Sequence, residues 1–99
     1  MPKFTERQIE EIMYDGATYI GGDRDDPNAE VYTTMEKKII SNDSEKNSVE
    51  RRFVIKEKST GKFFSAVLGE SPWYQQMKYN AKQPWKEVFA KKVTITKYE

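Results

Sequence analysis

Trp73, Tyr74, Tyr79 and Trp85 lie close together in the chain, interleaved with Lys78, Lys82, Lys86, Lys91 and Lys92. Rings that stack on bases beside lysines that neutralise phosphates make a surface for single-stranded nucleic acid, here over residues 72–92. The same rings suit a protein contact, where tryptophan and tyrosine are enriched, with Arg51 and Arg52 at its rim. A third reading has Trp73 and Trp85 flank an excursion that folds back to close a small core, since each ring buries roughly 150–250 Å².

Other chemistry is narrowed by what the chain lacks. It has no histidine and no cysteine. The usual acid–base group near neutral pH and the thiolate nucleophile are therefore absent, and any zinc would find only carboxylates. No catalytic residue, cofactor or metal is expected, and the reading is of a non-enzymatic binding module. Ser59-Thr60-Gly61-Lys62 has the spacing of a catalytic S-x-x-K and part of a phosphate loop, but Lys56 stands where that loop needs glycine and no helix follows. A hairpin turn accounts for these four residues. Asp23, Asp25, Asp26 and Glu30 are acidic enough for calcium, yet Asn28 and Thr34 occupy the positions where an EF-hand needs glycine and glutamate. A solvated acidic loop is the better reading.

The 99 residues make one domain, with 36% hydrophobic residues and 13% aromatic, so a thin core built on a few rings is expected. The absence of cysteine points to a reducing compartment, and no apolar stretch is long enough to span a bilayer or drive export. Net charge is +1, but residues 1–45 carry 5 basic against 11 acidic side chains and residues 46–99 carry 12 against 5. The halves form opposed patches if they segregate in space, and the charges mix if their strands interleave.

The elements that position these residues follow from periodicity. Thr5 and Gln8 have capping-box spacing, Ile9, Ile12 and Met13 form an apolar stripe, and Gly16 suits a left-handed stop, which predicts a helix from Thr5 to Asp15. Ala17 to Ile20 suits a short strand, and Gly21-Gly22 with Asp23 to Asn28 is loop chemistry. Val31 to Ser41 is rich in β-branched residues and reads as a strand, although Tyr32, Met35 and Ile39 also fit helical spacing. Asn42 to Ser48 reads as a loop. Val49, Phe53 and Ile55 alternate with charged residues, with Arg51 on the apolar side, and a three-residue turn, Ser59 to Gly61, leads to a second strand over Lys62 to Leu68. The segment from Pro72 to Trp85 reads as irregular. A last strand from Lys86 to Tyr98 needs a bulge near Ala90-Lys91, where its alternation slips. The expected architecture is α+β, one N-terminal helix packed on an antiparallel sheet of about four strands.

The order VERRFVIKEK, a hairpin, KFFSAVL, an excursion and EVFAKKVTITKYE, over residues 43–99, resembles a loose group of short uncharacterised proteins encoded by tailed bacteriophages. The resemblance implies a protein acting in the cytoplasm of a bacterial host, where small phage proteins commonly bind a host protein and alter it. Single-stranded nucleic acid is the alternative partner, and self-association through exposed edge strands is a third.

Overall fold

The computed structural model describes residues 2–43, 45, 48–71, 75–91 and 97–98. At the N-terminus the capping box forms as its spacing predicts. The Gln8 amide donates to Thr5 Oγ1 at 3.2 Å and the Thr5 amide donates to Gln8 Oε1 at 2.9 Å. Helix α1 spans Glu6–Glu10 and continues into a wider π-helical turn, Glu11–Asp15, which stops at Gly16 with φ of 82°. Two side chains from the sheet cover the carbonyls left open at this end: Thr34 Oγ1 donates to the Ile12 carbonyl at 2.7 Å and Lys37 Nζ to the Met13 carbonyl at 3.0 Å.

Five antiparallel strands follow in a meander: β1 Ala17–Ile20, β2 Glu30–Asp43, β3 Ser48–Glu57, β4 Phe63–Glu70 and β5 Lys86–Val88. The α+β class is as expected, with one strand more. Tyr32, Met35 and Ile39 therefore lie on a strand rather than a helix. The β-branched run decides this, and bulges between Thr34 and Glu36 and between Ile39 and Ser41 absorb the residues that break its alternation. A meander maps chain order onto sheet order, so the strands of the two halves lie side by side without interleaving.

Four expectations need correction. The loop expected over Asn42 to Ser48 is shorter, because β2 runs on to Asp43 and β3 starts at Ser48. The segment between β4 and β5 holds a helix, α2 Gln76–Ala81, which starts beyond Pro72 and ends before Pro84. Neither proline falls inside it, so neither breaks it. The hairpin loop is Lys58–Gly61, one residue longer than expected, closed by the Gly61 amide on the Glu57 carbonyl at 2.8 Å with Gly61 at φ 72°. The Lys58 amide continues the pairing with β2, donating to the Val31 carbonyl at 2.9 Å. Finally, the closing segment is no single strand. It leaves the sheet after Val88 and forms a two-stranded ribbon from β6 Ala90–Lys91 and β7 Lys97–Tyr98. The slip in alternation marks a full break where a bulge was expected.

The core lies between the helices and one face of the sheet. Ile9, Ile12 and Met13 meet Phe53, Ile55, Phe64, Ala66 and Leu68, and Phe4 sets its ring edge-on to Tyr32 and Trp85, with centroids 4.9 and 5.5 Å away. Among the described residues no helix is long and apolar enough to cross a membrane.

Candidate binding surface

The aromatic cluster does not assemble into one surface. Trp85, expected at a partner contact, is 1% exposed and sits in the core against Phe4. It stands immediately before β5, and the apolar ring gains more from burial than from solvent. Trp73 and Tyr74 lie outside the described residues. Tyr79 is exposed on α2, beside a cleft of about 200 Å³ shared with Val49, Val67, Gln76 and Gln83. That volume is below the range of roughly 300–1,000 Å³ in which small molecules are usually held.

Asn80, which the sequence did not single out, is what fixes α2. It is fully buried, and its side chain behaves as a strand peptide toward the edge of β4. Nδ2 donates to the Gly69 carbonyl at 2.9 Å, and Oδ1 accepts from the Gly69 amide at 3.0 Å. Oδ1 also accepts from Gln76 Nε2 at 3.0 Å. β5 pairs only with Phe63, Phe64 and Ser65, so this amide completes the edge that β5 leaves open at Gly69. A buried asparagine in a polar segment has no signature visible to periodicity.

Arg51 and Arg52 take opposite faces, as successive strand residues must. Arg51 lies on the helix-bearing face and ion-pairs with Glu70, which Lys37 Nζ also approaches at 3.7 Å. The charge that interrupts the apolar side of β3 is therefore answered from β4. Tyr14 is exposed beside this group, with Lys37 Nζ 5.7 Å from its ring centre. Partial burial, with Glu70 and Glu10 nearby, raises its phenol above the ordinary value.

Arg52 stands on the other face, on which neither helix packs, with Nε donating to Ser65 Oγ at 3.0 Å. Strand register lays out three rows there: Thr33, Lys56, Phe63 and Val88; Glu36, Val54, Ser65 and Lys86; Lys38, Arg52 and Val67. Four cations thus surround a small apolar centre. Val54 is fully buried within it, between Arg52 and Lys56 along the strand, whose aliphatic stems can cover apolar surface. Lys56 Nζ lies 5.8 Å above the Phe63 ring. Arg52, Ser65, Val67, Pro84, Lys86 and Val88 line a shallow open groove of about 550 Å³ across this face.

The acidic loop satisfies its own backbone. Asp26 Oδ1 accepts from the Asn28 amide at 2.8 Å, and Glu30 Oε1 accepts from the Val31 and Ser59 amides at 3.0 and 3.1 Å. Hydrogen bonding from Ser59 holds the Glu30 carboxyl below its ordinary value. Among the described residues no group of three or more Asp or Glu side chains converges as metal ligands. No protein-family model, no curated protein and no solved structure matches this chain.

Proposed function

We propose that this chain is a non-enzymatic binding module whose helix-free sheet face engages an acidic patch on a bacterial host protein. The observation that carries the reading is the layout of Lys38, Arg52, Lys56 and Lys86 around half-buried Phe63 and exposed Val67, beside the buried Val54 and Val88. Cations around a small apolar centre match an anionic protein surface: the charges steer encounter and fix register, while the centre loses its water. The host and its cytoplasm come from the bacteriophage resemblance of residues 43–99.

Nucleic acid is the weaker reading. Trp85 is buried, and Phe63 on the cationic face is half-buried with a lysine above it, so a row of open rings for base stacking is missing from the described part of this face. The test is capture from nuclease-treated bacterial lysate with the natural chain and with Lys56→Glu/Lys86→Glu. Both lysines are exposed, so the double variant should fold normally and lose a stoichiometric protein that the natural chain retains. Equal retention by both chains overturns the surface assignment. Binding only to an oligothymidine probe, falling steeply with salt, favours the nucleic-acid reading.

A further inference from the structure

Among the described residues the sheet leaves one long edge unpaired, and it is made by β2. β1 pairs only with Glu30 to Thr33, and the Thr34 amide still reaches the Gly16 carbonyl at 2.8 Å. From Met35 to Asp43, β2 has β3 on one side and no described strand on the other. The direction of its peptide groups follows from the hairpin. The Glu57 amide donates to the Lys62 carbonyl at 2.8 Å, so the odd residues of β3 bond toward β4 and the even ones toward β2. Glu36 and Lys38, opposite Val54 and Arg52, therefore bond to β3, and the amides and carbonyls of Lys37 and Ile39 point outward.

This edge carries apolar side chains that remain exposed: Met35 at 44%, Ile39 at 54% and Ile40 at 50%. Edges commonly resist pairing through lysines and bulges. Here the two bulges, at Met35 and Ile40, leave the regular stretch Glu36–Ile39 between them, so they and the lysines restrict the register of pairing without removing the edge.

We propose that the Met35–Asp43 edge pairs antiparallel with the same edge of a second copy, across a two-fold axis near Ile39, joining two sheets into one. The edge is self-complementary. Its first half, Glu36-Lys37-Lys38, is basic, and its second half, Ile39-Ile40-Ser41-Asn42-Asp43, carries one acid and no base. Antiparallel pairing lays each lysine pair against the partner's uncharged or acidic half, whereas parallel in-register pairing would stack lysine on lysine. The outward peptide groups of Ile39 from the two chains face each other at the axis, and the isoleucines meet there. This contact shares Glu36 and Lys38 with the cationic face, but Ile39→Pro and Lys56→Glu/Lys86→Glu change separate residues, so the two assignments fail separately.

The test is the mass of the natural chain by sedimentation equilibrium across a concentration series. Convergence on two 11.6 kDa chains supports the proposal, and a monomer throughout overturns it. Ile39→Pro removes only an outward amide, leaving the β2–β3 bonds, and should weaken the dimer about tenfold or more while circular dichroism stays unchanged. An undiminished dimer in a folded Ile39→Pro chain overturns the edge assignment. Since the chain has no cysteine, Ile39→Cys gives a second readout. Mild oxidation should link two Ile39→Cys chains through their introduced thiols, as a Tyr79→Cys control should not, and equal linkage of both variants overturns the two-fold register.

Discussion

Phe53 and Arg52 are adjacent in the chain and meet opposite environments. On the helix-bearing face Phe53 and Ile55 are fully buried under Ile9, Ile12 and Met13, and the polar groups that enter are paired, as Tyr32 is with Glu57 and Asn80 with Gly69. On the other face Arg52, Lys56 and Lys86 stand around a small apolar centre with neither α1 nor α2 over them. The rings that looked most suited to recognition partly serve the first face, and ordinary-looking charged residues define the second. Large apolar area is what a 99-residue chain most needs inside, so a ring close to the core is drawn into it. Charge is what such a chain can leave outside for a partner.

The sharpest way to break this comparison is to truncate the covered face. Trp85→Ala should cost about 3–5 kcal/mol, enough to unfold much of a domain of ordinary stability, as followed by urea titration. A loss under about 1 kcal/mol would mean that Trp85 is less central than its burial implies. Asn80→Ala should cost about 1–3 kcal/mol by leaving both Gly69 groups unpaired, with local exchange of the Gly69 amide rising as α2 loosens. Tyr32→Phe removes the 2.5 Å bond to Glu57 and should cost about 1 kcal/mol. Burial first, and then the Glu57 carboxylate, raise the Tyr32 phenol. The native state therefore keeps this proton where the unfolded chain loses it. The Tyr32 contribution to stability should be level below pH 10.0, the ordinary value, and fall above it, and Tyr32→Phe should flatten that alkaline limb.

Smaller effects belong to the surface. Lys56→Ala should change stability by under about 0.5 kcal/mol, in contrast to Phe53 and Ile55 beside it in the sheet. The smallest is at Glu30, whose carboxyl is lowered in the folded state. Its contribution is present above the ordinary value of 4.5 and disappears as pH falls through the lower folded value, a slope that Glu30→Gln should remove.

Local signals carried much of this architecture. Thr5 with Gln8, Gly16, and the alternation around Phe53 and Ile55 each placed an element correctly, because capping, left-handed stops and period-two burial are set by neighbours in the chain. Long-range pairing was not legible. The hairpin loop closes through the Gly61 amide on the Glu57 carbonyl, α2 is held by an asparagine that pairs with Gly69, and the slip near Ala90 is a strand break. For the candidate site, Arg52 was named in advance, but its separation from Arg51 by the pleat was not used. Lys56 carries no signal of a binding role in the sequence, because its row forms only when four strands are in register.

The central claim is that the helix-free face is the working one. The direct measurement compares partner retention and melting temperature for the natural chain, Lys56→Glu/Lys86→Glu, and a Glu6→Lys/Glu10→Lys control on the helix side. The account predicts unchanged melting in all three, with retention lost only in the first double variant. Retention kept by that variant while the helix-side control loses it would contradict the account and move the contact to the opposite face.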